Sequence, residues 1–572
     1  MPEPGADGVS EEGEEVFPGP VLGALRASPG RVAFLQGGRA VTCGEVLDLA
    51  ARLAAGMRDA GLGPGRGVAM ATGLTPEAYA AHLAAHALGC RVAALRPGWS
   101  PRQTEYALGL GFDAVVTSPG GPPAPGLQAL SPGPSPHAPG PRALFPGPSP
   151  HASGPRELSL GPSPHATDLL AVRQAADLTP RGRSGDIARL TFTSGSTGRP
   201  KACAQTYHAF TLAYRRERWP APLAELMTGF GRCLISESLA GPVMMTYLGR
   251  CLIAGGAAVL PSGDDPEPLL PGAIERHRLT AILVPPPRLR LMLAALDERP
   301  VDVGSLRAVV LGGSPAGPGL LTEAVRRLGP IVWQGYGQGE AGVISMLTPD
   351  DLAREPAARE SVGRPLPAVE VGLRRDGSAP VAPGEVGEIW VRSPHMMSGY
   401  WNAPEETAEV LRDGWLHTRD LGYLGPTGLL HLSGRSRDVI MVNAEVCHGG
   451  AVERVLAGHP AVAEACVLGA GDAETGEAFH AFVVPAAPVG REDLLALVRG
   501  SLSAGHVPRT ITVVGAIPLT PAGKPDKEAL AALVPAPGPP TGPVTRAVPP
   551  PVPPAGSPAD PPADSPTENS PF

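Results

Sequence analysis

The sequence has no excess of basic charge, no paired cysteine motif, no long apolar run and no basic leader. Each absence excludes a class of function. Lys and Arg total 47 against 55 Asp and Glu, a formal net charge of −8, so the basic footprint of a nucleic-acid binder is missing. The seven cysteines (Cys43, Cys90, Cys203, Cys233, Cys251, Cys447 and Cys466) are odd in number and never spaced as CxxC. They read as reduced thiols of a cytoplasmic protein, not as a disulfide framework or a zinc site. Residues 1–15 are acidic and lack the basic and apolar regions of a secretory signal. The most apolar stretch, 80–95, is broken by His82, His86 and Arg91. No segment therefore reaches the roughly 20 apolar residues of a membrane span.

What is present is a long chain of 572 residues, 43% hydrophobic and 18% charged, enough for one large or two unequal domains. After an acidic leader (1–16), expected to be disordered, Thr42 and Glu45 form a capping-box signature. Ala50, Leu53, Ala54 and Met57 then fall on one helical face, and Gly61 ends that helix. A strand at 68–71, a helix at 77–88 and a strand at 92–95 continue a βαβ alternation, which implies a parallel sheet. Between about 118 and 166 the pattern collapses. GPSPHA recurs at Gly133, Gly147 and Gly161; so much proline cannot bury a face, and the segment reads as a disordered insertion with solvated histidines. Fifteen prolines between Pro535 and Phe572 mark a second such segment at 535–572. The folded remainder divides near Gly434 into a large domain (17–436) and a compact unit (437–534). The fold class expected is α/β: a large N-terminal α/β domain with parallel-rich sheets and a small, mobile α+β C-terminal domain.

The strongest local signal is Thr193-Ser194-Gly195-Ser196-Thr197-Gly198-Arg199-Pro200-Lys201, directly after the apolar strand at 188–192. Backbone N–H groups exposed by glycine, with Ser and Thr hydroxyls, cradle phosphate oxygens, and the lysine adds charge. The bland reading of the same run is a flexible Ser/Gly turn. It is not the GxxxxGK[ST] loop, because Lys201 stands three residues after Gly198.

This run resembles the phosphate loop of the adenylate-forming superfamily of acyl-CoA synthetases, peptide-synthetase adenylation domains and firefly-type luciferases. The resemblance covers roughly 17–534, outside the insertion, and its motifs recur in order. It implies that Gly313, Ser314 and Pro315, after the strand at 308–311, approach adenine. It implies the same of Gly335, Tyr336 and Gly337, with Glu340 as the Mg2+ ligand; one carboxylate beside a triphosphate suits an ion that keeps several waters. Gly339 stands where the family usually has threonine. Asp420, in Gly414-Trp415-Leu416-His417-Thr418-Arg419-Asp420, would accept the ribose hydroxyls, with Arg419 where glycine is usual. Arg435 would also reach the ribose, and Arg437 occupies the hinge position. Ala444 replaces a glycine lining the thiol tunnel. Lys524, in Pro518-Leu519-Thr520-Pro521-Ala522-Gly523-Lys524, would bridge the substrate carboxylate and the α-phosphate. Residues 387–392 and 398–401 read as fold, not catalysis.

The implied activity is an ATP-dependent carboxylic acid:CoA ligase working through an acyl-adenylate, with Lys524, Lys201 and Glu340 as catalytic residues. ATP, Mg2+ and CoA are the implied cofactors, with no nucleic-acid partner. Two alternatives stay open: loading of an acid onto a carrier protein's phosphopantetheine, and a degenerate nucleotide-binding homologue. No residue in 235–242 convincingly pairs an α-amine, with Glu237 the only carboxylate there, so an amine-free acid is favoured. Met244 and Met245 fit either an acyl pocket or a helix core.

Overall fold

The computed structural model describes residues 15–97, 99–118, 155–163, 166–193, 200–263, 265, 269–375, 379–435, 439–442, 445–472, 476–502, 504–520 and 525–534. The capping box forms as the sequence dictates. Thr42 Oγ1 accepts from the Glu45 N–H at 3.2 Å, and the Thr42 N–H donates to Glu45 Oε2 at 2.7 Å. The helix Cys43–Asp59 that follows buries Ala50, Leu53, Ala54 and Met57 completely. Gly61, at φ +83°, then turns the chain towards the strand Gly67–Ala71.

Among the described residues the strands make four sheets. In the first, Ile187–Thr193, Arg91–Ala94, Gly67–Ala71, Ala114–Thr117, Arg156–Ser159 and Thr167–Asp168 lie parallel in that order. Lys201–Thr206 returns antiparallel beside Ile187–Thr193, and Gly399–Tyr400 adds to its far side. The second sheet has a parallel centre that includes Arg232–Leu234, Ala281–Val284, Ala308–Leu311 and Val332–Gln338. Its antiparallel edge is Gly342–Leu347 followed by Arg364–Pro365. The third is antiparallel and contains Gly387–Arg392, Trp415–Leu424 and Leu430–Arg435. Sheet membership changes after Arg435: Val439–Val442 opens a fourth, smaller sheet, covered by the helices Gly449–Ala457 and Arg491–Ser501. The fold is thus α/β with parallel-rich sheets, a large N-terminal part and a small α+β C-terminal part.

Two expectations at the segment edges need correction. Residues 156–159, assigned to the disordered insertion, form a strand of the first sheet. The stretch just before the third copy of the repeat carries Leu158 and Leu160, both buried, and this apolar alternation gives the strand a face to bury. Val16, placed in the leader, is buried against the core. Residues 1–14 of the leader, most of the repeat insertion and the tail lie outside the described residues. Met244 and Met245 both pack in the main core on the helix Pro242–Ile253, so the core reading of that pair holds.

The helix Pro76–Ala87 is buried on all sides, which carries His82 and His86 into the core. Both Nε2 atoms lack a hydrogen-bond partner among the described residues. Burial pushes the His82 imidazole down to about 3 and the His86 imidazole down to about 4. Both are therefore neutral in the folded chain and protonate near 6.5 once unfolded. Their contribution to stability is full above about pH 6.5 and is lost as pH falls towards 4 and then 3. Each adds a slope of up to about 1.4 kcal/mol per pH unit in that window. Thermal melts from pH 7 to pH 4 check this: His82→Gln and His86→Gln should each flatten the acid limb. Parallel limbs in wild type and both variants would show that neither ring is held neutral.

Candidate active site

Three parallel or hairpin strands end close together, and their terminal residues carry the chemistry. Ile187–Thr193 finishes at Thr193, which pairs in register with Lys201 at the start of the returning strand. The hydroxyl- and glycine-rich run therefore connects two antiparallel strands. Ser194, Gly195, Ser196, Thr197 and Gly198 themselves lie outside the described residues. Ala308–Leu311 leads into Gly312 and Gly313, and Gly313 takes φ +90°, a value glycine adopts without strain. Gly335, Tyr336 and Gly337 belong to the strand Val332–Gln338 rather than to a loop after it. A Cβ on Gly337 would stand 2.2 Å from the Gly342 carbonyl oxygen, so this tight hairpin admits only glycine there.

Glu340 sits in that hairpin and faces Thr193 and Tyr400. The hydroxyls of both donate to Glu340 Oε1, each at 3.1 Å. The Lys201 ammonium lies 4.8 Å from the centre of the same Tyr400 ring and 3.8 Å from Glu406 Oε2. Lys201 and Glu340 thus share one cluster, joined through Thr193 and Tyr400. Burial pushes the Tyr400 phenol up, the Glu340 charge adds to this, and the Arg419 guanidinium opposes it. Tyr400 therefore stays a protonated donor. Treating 398–401 as fold alone overlooked it. No local signal marked it: its place comes from Gly399–Tyr400, the short strand that pairs with the Lys201 strand. The chain contains three lysines, Lys201, Lys524 and Lys527, so two of the three occupy family motif positions.

Asp420 anchors a second cluster. It is buried, on the strand Trp415–Leu424, directly opposite Arg435 in the neighbouring strand. Asp420 Oδ2 accepts from the Tyr336 hydroxyl at 2.7 Å, and Oδ1 accepts from Arg435 Nε at 3.1 Å. Burial, followed by the Asp420 charge, raises the Tyr336 phenol well above its ordinary range. Tyr336 belongs to the same strand that leads to Glu340, so the two clusters are neighbours. Arg437, Ala444 and Lys524 lie outside the described residues. The lysine-bearing segment 521–524 is bracketed by a bridge between Leu519 and Pro525.

Two of the three departures from the family pattern, Gly339 and Arg419, have a local physical context. A Cβ on Gly339 would come within 2.7 Å of Thr193 Cγ2. The side chain that usually occupies this position has no room here while Thr193 bonds Glu340. Gly339→Thr should therefore lower stability by about 1–3 kcal/mol, the usual range for overpacking, and should lower activity instead of restoring it. Adding Thr193→Ser, which removes the obstructing methyl and keeps the hydroxyl, should recover part of both. Melting curves and turnover of the single and double variants test this; a fully active, fully stable Gly339→Thr would refute it. Arg419 holds φ +63°, a conformation that costs a non-glycine residue about 1–3 kcal/mol. This explains why glycine is usual there, and its guanidinium bonds Glu409 Oε2 at 2.9 Å.

Residues 23–401 match the model of the AMP-binding enzyme family. The chain belongs to that family. Residues 451–524 match the AMP-binding enzyme C-terminal domain, so both parts of the architecture are present. A medium/long-chain-fatty-acid–CoA ligase, FadD8, of Mycobacterium tuberculosis (strain ATCC 25618 / H37Rv) is 37% identical over 372 residues. That match takes in 63% of this chain and 62% of FadD8, so it spans less than two thirds of the relative's length. Among solved structures, the amide bond synthetase McbA from Marinactinospora thermotolerans is 36% identical, with a TM-score of 0.75. That likeness covers 90% of this chain and all of McbA. The o-succinylbenzoate coenzyme A synthetase MenE of Bacillus subtilis, solved with ATP and magnesium ion, is 26% identical with a TM-score of 0.70. It covers 88% of this chain and 97% of MenE. Among the described residues no helix is long and apolar enough to cross a membrane.

Proposed function

We propose that this chain is an AMP-forming acid:CoA ligase that activates a small carboxylic acid as its acyl-adenylate and transfers the acyl group to the thiol of CoA. The observation that carries the reading is the meeting of Lys201, Thr193 and Glu340 around Tyr400, next to the Asp420–Arg435–Tyr336 cluster. One cluster offers an ammonium and hydroxyls to phosphate oxygens. The other offers a buried carboxylate to a ribose diol and a phenol ring to adenine. Ser194, Gly195, Ser196, Thr197 and Gly198 complete the phosphate cradle, and Gly313, Ser314, Pro315, Gly335 and Gly337 shape the adenine side.

Glu340 fits a magnesium ion. Its carboxylate is a hard oxygen ligand fixed by two hydroxyls, while no group of three or more His, Cys, Asp or Glu among the described residues could hold a metal alone. That donor set suits an ion completed by water and phosphate oxygens. When bound, Mg2+ would neutralise charge on the phosphates. The protein's own part is positioning and electrostatics. The acid's carboxylate attacks the α-phosphorus and pyrophosphate leaves. Lys201 holds the leaving phosphates, and Lys524 steadies the charge on the α-phosphate. The small domain then turns about Arg437, and a thiol that enters past Ala444 attacks the acyl carbon and expels AMP.

FadD8 and MenE are named for CoA ligation, which supports CoA as acceptor. A second reading has one specific support: McbA, matched over its full length, is named an amide bond synthetase, so an amine is the rival acceptor. A carrier-protein thiol is a third. Incubation with ATP, Mg2+ and an acid panel, followed by CoA, a phosphopantetheinylated carrier or a primary amine, separates them. The proposal expects AMP and acyl-CoA; amide formed with CoA left unconsumed would overturn the choice of acceptor.

A further inference from the structure

The helix Pro404–Val410 places Glu406 and Glu409 one turn apart on one face. Glu406 meets Lys201 at 3.8 Å, and Glu409 meets Arg419 Nη2 at 2.9 Å. Two cations from different strands therefore lie side by side along one acidic helix face. Arg419 also acts on the Tyr400 phenol, which lies beneath Lys201 and bonds Glu340. It immediately precedes Asp420. Arg419 thus stands between the Glu340 and Asp420 clusters, on the side where Lys201 points.

Its backbone adds an independent observation. Arg419 holds φ +63° although glycine would adopt that turn without strain. A strained residue persists where the surrounding structure holds it, and such residues concentrate at functional sites. Its pair with Glu409 is of the surface kind that contributes little to stability, since Glu409 is more than half exposed. Gly339 meanwhile leaves no hydroxyl at its own position to offer a phosphate.

We infer that Arg419 is a further polyphosphate-binding residue, held by Glu409 in the nucleotide-free chain and handed to a phosphate oxygen of ATP when the nucleotide enters. The exchange replaces a carboxylate with a more highly charged, tetrahedral phosphate, two of whose oxygens a guanidinium fork engages with two hydrogen bonds. Glu406 does the same for Lys201. The acidic helix face thus keeps both cations oriented while no phosphate is present and competes with the phosphates for them. The inference rests on the adenylating reading for the identity of the ligand but not for its test.

Titration calorimetry with ATP, and separately with adenosine, tests it in the full chain. Arg419→Gly should fold at least as well as wild type, since it relieves the turn. It should weaken ATP about 10- to 100-fold, the range for loss of a charge-assisted pair, and leave adenosine binding unchanged. Arg419→Lys should recover part of the loss, and Glu409→Gln should tighten ATP by removing the competitor. Unchanged ATP affinity in Arg419→Gly, or equal weakening of ATP and adenosine, would overturn the inference. Failure of the ligase reading looks different: wild type would bind ATP but release no pyrophosphate with any acid.

Discussion

Lys524→Ala should lower acid-dependent pyrophosphate release by about 10²–10³-fold, the loss measured when one preorganised electrostatic stabiliser is removed from an active site. The reason lies in where charge develops. As the carboxylate attacks the α-phosphorus, negative charge gathers on the equatorial oxygens, and an ammonium placed there is worth more in the transition state than in the bound ATP. ATP affinity should therefore survive. A second signature separates this role from a structural one. Thioester formation from chemically supplied acyl-AMP should proceed at close to the wild-type rate, because the role proposed for Lys524 is confined to the first half-reaction. Lysine is so scarce in this chain that Lys527 offers a ready control three residues away, and Lys527→Ala should change neither half-reaction. Equal loss in both half-reactions would make Lys524 a folding residue.

Glu340→Gln should reduce pyrophosphate release by about 10²-fold or more, since charge neutralisation by a metal ion is worth several kcal/mol in such transfers. The substitution keeps the shape of the side chain. Its carbonyl oxygen can still accept from Thr193 and Tyr400, as Glu340 Oε1 does at 3.1 Å from each. What it removes is one charge. The Mg2+ concentration needed for half-maximal activity should rise accordingly, while melting temperature changes little. A Mg2+ titration of both proteins measures this, and superimposable Mg2+ curves would remove Glu340 from metal binding.

Much of this architecture was legible because the sequence signals were local. Thr42 and Glu45 announce their own helix start, and Ala308–Leu311 is a continuous apolar run with glycines after it. The Gly335-Tyr336-Gly337 run and Asp420 were recognisable through their resemblance to family motifs, since either alone reads as an ordinary turn. What escaped was tertiary. Tyr400 acquires its role from strand pairing with Cys203, almost two hundred positions earlier. Glu406 and Glu409 look like ordinary charges on a solvated helix until their partners, Lys201 and Arg419, are seen on other strands. The strand Arg156–Ser159 was hidden in a proline-rich repeat segment, whose composition outweighed the two buried leucines, Leu158 and Leu160, that precede its last copy. By resemblance alone Gly339 is only a departure from the family's usual threonine; the 2.7 Å approach of Thr193 shows an adjustment to a neighbour.

Oxygen tracing addresses the acyl-adenylate itself. With an acid labelled with ¹⁸O at both carboxyl oxygens, the attack on the α-phosphorus makes one labelled oxygen the bridge of the mixed anhydride, and thiolysis leaves that oxygen on AMP and the other in the thioester. Mass spectrometry of the products should show AMP containing one ¹⁸O and unlabelled pyrophosphate. Label found in inorganic phosphate with ADP as co-product, or thioester formed with unlabelled AMP, would contradict the account.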